Sequence, residues 1–392
     1  MTFSTTGGTL LNVSVEFEFL VAIEKEDQIY NTGNPSSDAE NIDSNHKWAC
    51  PSQTDDPSSE ALYQCKAVLS KADKSVIIRH NEAHLTERSW QSARFNSWVL
   101  QPSQTAHASA SSPKDYDWCG VRLRSPLISE DELRNTSPMD KCLETIRNST
   151  RIHINLTCKF KIALHRDTFT LVQAKKLATL VWLTEQDLLV PLRNQDCDSI
   201  VHPKTVTASS ITATCRLRHT DTSIFLDPLL EGIMNSHLPS EMKDTVALGC
   251  LRRLWACPNL RRLPGALRDR HQNALAFALY IYDDDDAEDS NASSCAVASF
   301  RCALHPQDGL ATSRLWTELV LALGKAVSLA PEPFKQLVGE IDRLNCSYRM
   351  DESVDESCHR KQVMQALGMD EELCKEWDKI IIECRNNGEE VM

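Results

Sequence analysis

The chain has 392 residues, of which 25% are charged and 41% hydrophobic, a balance typical of a globular protein with a large core. Its formal net charge of -13 argues against a surface that neutralises nucleic-acid phosphates or binds an anionic membrane. There is no run of the roughly 20 apolar residues that span a bilayer, and no secretion signal at the N-terminus. We therefore expect a cytoplasmic protein without nucleic-acid or membrane partners.

The first part of the chain is predicted to mix strands and helices. Alternation of apolar and polar residues predicts a strand from Val13 to Val21. Ser137 and Pro138 have the residue types of a helix N-cap and a first helical turn. The remaining predicted elements here are a helix over 60–71, strands at 76–79, near Trp98 and at 121–124, a helix over 138–148 and a strand over 151–156.

The second part of the chain is predicted to be mainly helical. Thr170 and Gln173 have capping-box spacing, which predicts the start of a long helix that runs from Phe169 to Arg193. A strand over 296–302 and a helix over 313–330 follow. The order of elements lacks a regular βαβ rhythm and predicts an α+β fold with a largely antiparallel sheet covered by helices.

Three polar stretches are predicted to be disordered insertions, near residues 31–60, 101–117 and 283–294. They interrupt one predicted domain, residues 1–332. Residues 333–392 are predicted to form a charged helical tail. The 15 cysteines are odd in number and include no C-x-x-C pair, which favours buried, reduced thiols.

The strand from Val13 to Val21 has two carboxylates on one face. Alternate side chains of a strand point to opposite faces, so Glu16 and Glu18 lie roughly 6.5–7 Å apart on the polar face. Hard cations such as Mg²⁺ take oxygen ligands from such carboxylates. The alternative is a solvated sheet face with incidental salt bridges.

Three more predicted strands have one polar face each. Their polar residues are Arg122 and Arg124, His153 and Asn155, and Ser299 and Arg301. If the four strands are neighbours in one sheet, these side chains share a concave polar surface with Glu16 and Glu18.

Five motifs containing these residues resemble, in order and wording, those of the fungal amidoligase family. That family belongs to the carboxylate–amine ligase group, which includes glutamine synthetase. The motifs span residues Val15 to Phe19, Trp98 to Ser103, Gly120 to Pro126, His153 to Asn155 and Ser299 to Arg301. The resemblance implies a glutamine-synthetase-like fold, a curved antiparallel sheet with helices on its outer face.

The resemblance also implies a reaction and a site. ATP and Mg²⁺ convert a carboxylate to an acyl phosphate, and an amine then attacks to form an amide; both substrates are small molecules or peptides. On this basis Glu16, Glu18 and His153 are the expected metal ligands. Arg301 is the expected catalytic residue, and Arg301 and Arg124 are expected to hold ATP.

The chain departs from the family pattern at polar positions. The expected Asp is replaced around Gln101 and Pro102, one Glu is Arg122, the second His is Asn155 and the last Glu is Ser299. Arginine cannot be neutralised in a protein and pairs with carboxylates. We therefore hypothesise that Arg122 pairs with Glu16 or Glu18 and takes the charge role of the metal.

Three functions are compatible with these residues. The first is an amidoligase-like enzyme that performs ATP-dependent carboxylate–amine ligation with a partly degenerate site. The second is a catalytically inactive member that binds a ligand or a partner in the same cleft. The third is an interaction protein that uses its acidic insertions and helical tail.

Overall fold

The computed structural model describes residues 11–26, 47–79, 95–110, 112–136, 138–155, 157–165, 169–190, 209, 227–269, 276–282, 295–302, 309–351 and 355–389. The chain divides into two compact units. The described parts of residues 13–161 form the N-terminal unit. Those of residues 162–303 and 311–392, with Leu11 and Asn12, form the C-terminal unit.

Both units combine strands and helices, and the strand pairs are mixed but largely antiparallel, which confirms the α+β class. None of the helices in the described ranges has the length and apolarity needed to cross a bilayer.

The strands of the N-terminal unit are β1 Asn12–Ile23, β2 Val76–Ile78, β3 Trp98–Pro102, β4 Asp117–Arg124, β5 Ile128–Ser129 and β6 Ile152–His153. They lie in the order β2-β3-β4-β1, and β5 and β6 also pair with β1. The β2–β3 pair is parallel, whereas β3–β4, β4–β1 and β1–β6 are antiparallel. Strand β1 therefore pairs with three strands of this unit, β4, β5 and β6.

The helices of the N-terminal unit are α1 Pro57–Lys71, α2 Glu130–Thr136 and α3 Pro138–Ser149. Asp56 caps α1, because its side chain accepts a hydrogen bond from the Ser59 N–H. The predicted N-cap of α3, Ser137, lies outside the described residues. The buried residues of α1 and α3 are mainly aliphatic residues and cysteines, which places the apolar stripe of each helix in the core.

The chain enters the C-terminal unit along β7 Phe160–His165, and the unit also contains β8 Phe277–Tyr282 and β9 Cys295–Cys302 in the order β7-β9-β8. Its helices are α4 Leu171–Thr184, α5 Pro228–His237, α6 Thr245–Trp255, α7 Leu263–Ala266, α8 Gly309–Val327, α9 Pro331–Met350, α10 Glu356–Ala366 and α11 Glu371–Glu389. A π-helical turn, Glu185–Leu189, follows α4 directly.

The three helices after residue 330 contribute to the core of the C-terminal unit. The predicted domain boundary at residue 332 falls in the first turn of α9. Trp377 of α11 packs edge-on against Trp316 of α8, with ring centroids 5.4 Å apart, and both rings are buried. The C-terminal helices therefore bury large aromatic side chains as well as carrying surface charge.

Sequence patterns placed most elements of the N-terminal unit correctly, with shifted ends. The strand predicted over 151–156 is reduced to the two residues of β6, and α1 begins before residue 60. Strands β7 and β8 and helices α5 and α6 were not predicted. The predicted insertion at 283–294 and residues 31–46 of the first insertion lie outside the described residues.

The predicted insertion at 101–117 differs in character from the expectation. Its described residues include the end of β3 and two buried serines, Ser103 and Ser112. Polar residues of this segment make hydrogen bonds to other parts of the N-terminal unit. The polar composition therefore does not mean that the segment is surrounded by solvent.

Candidate functional site

Strand β1 has one apolar and one polar face, as its alternation predicts. Val13, Val15, Phe17 and Phe19 are all buried. On the other face Glu16 is half-buried, whereas Glu18 is only 1% exposed. A buried carboxylate is stable only when hydrogen bonds or a cation compensate its lost hydration. The surroundings of Glu18 therefore define the candidate site.

Both oxygens of Glu18 are occupied by donors from the N-terminal unit. Oε1 accepts hydrogen bonds from the Ser103 hydroxyl at 2.9 Å and the Thr105 hydroxyl at 2.8 Å. The Arg122 guanidinium also donates to Oε1, from Nε at 3.0 Å and Nη2 at 2.7 Å. Oε2 accepts from the Lys159 backbone N–H at 3.1 Å and lies 2.9 Å from the Thr105 hydroxyl. We call these four residues and Glu18 the Glu18 network.

A close approach of backbone brings two of these donors to Glu18. Gly120 of β4 lies against the segment that follows β3, and a Cβ at this position would meet the carbonyl oxygens of Ala106 and Ser103. Glycine is the residue that permits such an approach. The glycine of the Gly120–Pro126 motif therefore positions the segment that carries Ser103 and Thr105.

Arg122 connects the two carboxylates of β1. It lies directly opposite Glu18 in the antiparallel register of β1 and β4, so both side chains share one sheet face. Its Nε is also 3.7 Å from Oε1 of Glu16. The hypothesis that Arg122 pairs with Glu16 or Glu18 is confirmed by this geometry, with Glu18 as the closer partner.

Arg124 and His153 lie on the same side of the sheet but outside the Glu18 network. Arg124 is opposite Glu16, and its Nη2 is 3.5 Å from the Ser14 hydroxyl. His153 pairs with Leu20, one row along from Glu18, and its ring lies 5.2 Å from that of Trp118. Burial lowers the pKa of His153, which favours the neutral ring.

Asn155, which replaces the second histidine of the family motif, has a structural role. Its Nδ2 donates to the His107 carbonyl at 2.9 Å and to the Ser112 hydroxyl at 3.0 Å. Its Oδ1 accepts from the Thr157 N–H and hydroxyl. The side chain thus links His107, Ser109 and Ser112 to the turn before β7.

Arg301 and Ser299 lie on β9 of the C-terminal unit. Ser299 is buried, and Arg301 is partly exposed with its backbone N–H donating to the Ala276 carbonyl at 2.7 Å. The assignment of Arg301 as a catalytic and ATP-binding residue stays a prediction.

Sequence reasoning missed Ser103, Thr105 and Lys159. Ser103 is the serine of the Trp98–Ser103 motif, and that match was the available signal. Thr105 lies in a stretch predicted to be solvated. Lys159 donates to the Glu18 carboxylate through its backbone N–H. Any residue except proline carries this group, so the residue type gives no signal.

The residues present do not fit the Mg²⁺ that the resemblance implies. A metal needs free carboxylate lone pairs, and both oxygens of Glu18 already accept hydrogen bonds, with the positive charge of Arg122 on Oε1. Within the described ranges, no group of three or more His, Cys, Asp or Glu residues could hold a metal ion.

No family model, curated protein or solved structure matches this chain. Membership of the amidoligase family therefore stays a prediction that rests on the five sequence motifs.

Proposed function

We propose that this chain is a non-catalytic, amidoligase-like protein whose polar sheet face binds a ligand or a partner without Mg²⁺ and ATP. The curved sheet with helices on its outer face, as in glutamine synthetase, is part of this proposal.

The single observation that carries the proposal is the occupancy of Glu18. In the ligation scheme, carboxylates of this strand hold Mg²⁺ against the ATP phosphates. Here Arg122 provides the compensating positive charge permanently, since a guanidinium stays protonated at any pH that proteins tolerate. Binding Mg²⁺ at Glu18 would require breaking a buried ion pair and then placing two cations together.

The face that remains accessible is polar and nearly balanced in charge. Glu16, Arg122, Arg124 and Gln101 are all partly exposed, and they lie in adjacent rows of β1, β3 and β4. A balanced face of this kind favours hydrogen bonding to a ligand or partner over accumulation of metal ions. The amidoligase interpretation implies a glutamate where Arg122 stands, and this replacement makes the face less acidic.

Calorimetric titration of ATP into the full chain, with excess MgCl₂ and again with EDTA, tests the proposal. We expect no Mg²⁺-dependent binding and no Mg²⁺-dependent release of ADP. Robust Mg²⁺-dependent ATP turnover that Glu18→Gln abolishes would overturn the proposal and restore the ligase interpretation.

Arg122→Glu provides the reverse test because it restores the residue of the family motif. Three carboxylates then lie together without the Arg122 guanidinium that compensates Glu18, so we expect a lower melting temperature in EDTA and a rise of several degrees on adding Mg²⁺. A ligand whose free concentration is 100 times its dissociation constant stabilises the folded protein by about 2.7 kcal/mol. Arg134→Glu, a charge reversal at an exposed arginine that pairs with Glu130, is the matched control and should show no Mg²⁺ response.

A further inference from the structure

The C-terminal unit contains a cavity of about 220 Å³ beside α9. Its lining residues come from α4, the π-helical turn, α6, α9 and α10. Those that bear on its chemistry are Trp182, Asp187, Asp342, Asn345, Tyr348 and His359. We call this the α9 cavity. None of its residues belongs to the Glu18 network, so it is independent of the proposed function.

The π-helical turn places Asp187 at the cavity wall. The turn closes with a hydrogen bond from the Val190 N–H to the Glu185 carbonyl, five residues back, at 2.9 Å. Such turns are rare and occur often at functional sites, because the extra residue redirects the neighbouring side chains.

Asp187 is paired with a buried histidine. Its Oδ1 lies 3.4 Å from Nε2 of His359, which is 1% exposed. The His359 ring stacks on Tyr348 with centroids 4.5 Å apart and planes inclined by 3°. The stacking fixes the imidazole, so the pair forms a rigid part of the wall.

Asn345 presents an acceptor without a donor. The residue is 7% exposed, and its Nδ2 donates to the Leu183 carbonyl at 2.8 Å. In the described part of the chain its buried Oδ1 has no hydrogen-bond partner. An unsatisfied buried acceptor costs about 1–3 kcal/mol, so a donor from a ligand would recover this free energy.

The charged groups around the cavity are mainly acidic. Asp244 is neutralised by Arg349, whose Nη1 lies 2.5 Å from Oδ2. Burial alone would raise the pKa of Asp244, but the Ala247 N–H and Arg349 together hold it below its usual value. Asp342 is 4% exposed and accepts from the Lys243 N–H at 2.9 Å; within the described ranges it forms no ion pair. The excess charge at the cavity is therefore negative.

We propose that the α9 cavity binds a small organic cation, a primary ammonium compound. Its N–H groups donate to Asp187, Asp342 and Asn345 Oδ1, and its apolar part lies against Trp182 and Tyr348. Benzene fits a cavity of about 150 Å³, so this volume accommodates about six to ten non-hydrogen atoms. Acceptors and carboxylates together exclude anions and disfavour neutral apolar ligands.

Benzylammonium chloride is the probe, because it combines an ammonium group with a ring of suitable size. Benzyl alcohol and benzoate serve as matched neutral and anionic compounds. Titration calorimetry with the full chain should give a dissociation constant of about 1 mM or lower for benzylammonium. We expect at least tenfold weaker binding of both other compounds. Equal binding of benzyl alcohol, or no binding of benzylammonium, overturns the proposal.

Asp342→Asn tests whether binding depends on the negative charge of residue 342, because the substitution changes the charge of the side chain but hardly changes its shape. Asparagine keeps an acceptor for the Lys243 N–H but removes the negative charge, so benzylammonium should bind at least tenfold more weakly. Asp187→Asn, on the π-helical turn, should have a similar effect. Glu340→Gln, at an exposed ion pair on α9, is the matched control and should leave affinity unchanged. Unchanged affinity in both aspartate variants, with a native circular dichroism spectrum, contradicts the proposal.

Discussion

Glu18 illustrates how much one side chain depends on residues far away in sequence. Alternation along β1 predicted its face, and the motif glutamate replaced by Arg122 predicted its cation. The donors Ser103, Thr105 and Lys159 could not be predicted, because they come from loops whose approach depends on strand register and on the space left by Gly120. At this scale sequence identifies the charge pair, and only tertiary structure identifies its hydrogen bonds.

Removing Arg122 should destabilise the protein because Glu18 would become a buried charge without a cation. Breaking one partner of a buried ion pair costs about 3–5 kcal/mol, and the partial exposure of Arg122 places the expected loss for Arg122→Met near the lower end. Urea unfolding monitored by circular dichroism measures this loss.

The double variant Glu18→Gln with Arg122→Met should recover at least half of that free energy, since both charges are then absent. Arg343→Met, at the exposed pair with Glu340, is the control and should cost less than about 1 kcal/mol. A double variant no more stable than Arg122→Met would contradict the assigned pairing.

Helices and strands that have a capping motif or a regular hydrophobic pattern in the sequence could be predicted. Those without such a local pattern were missed. The capping box of α4 depends on residues three apart, and both of its hydrogen bonds are present. By contrast, β8 is a continuous apolar run, Phe277–Tyr282, with no alternation to distinguish a strand from a buried helix. β7 is buried on both faces for most of its length and gives no clear pattern either.

Helix α4 is more buried than an amphipathic stripe predicts. Its residues from Ala174 to Val181 are all buried, including Lys175 and Lys176. The Lys176 ammonium donates to the Leu329 carbonyl at 2.6 Å and lies 4.9 Å from the centre of the Phe334 ring. Burial lowers the pKa of Lys176 to about 8.

Lys176 should make stability depend on pH in the alkaline range. Below pH 8 the lysine is charged in both the folded and the unfolded states. Between pH 8 and its usual pKa of 10.5 the folded lysine loses its proton first, so the unfolded state binds more protons and stability rises with pH. Relative to Lys176→Met, the native chain should gain about 2–3 kcal/mol from pH 7.5 to pH 10.

Urea unfolding of both proteins at the two pH values measures this difference. The comparison cancels other groups that titrate in the same range. Lys66→Met, at an exposed position of α1, is the control and should show a constant difference. A difference that stays constant with pH would mean that burial does not lower the pKa of Lys176.

At the scale of the whole molecule, buried cysteines lie in the cores of both units. The prediction of buried, reduced thiols is confirmed for most of the 11 cysteines whose side chains the structure describes, all of which are free. Among these 11, Cys358 on α10 alone is exposed. Burial raises the pKa of Cys119, Cys142 and Cys158 to about 12, and the thiolate is the reactive form of cysteine. These buried thiols should therefore react slowly with alkylating reagents for two reasons. The reagent has no access to them, and they remain protonated.

Iodoacetamide labelling at pH 7.5, with peptide mapping by mass spectrometry, should modify Cys358 first among the 11 cysteines whose side chains the structure describes. Cys119, Cys142 and Cys158 should react only when the N-terminal unit unfolds, and Cys250 and Cys374 only when the C-terminal unit unfolds. Because each unit has one compact core, the thiols within a unit should become reactive over the same range of urea concentration. Labelling of Cys142 well before Cys158 would show that the N-terminal unit does not unfold cooperatively and would contradict the division of the chain into two compact units.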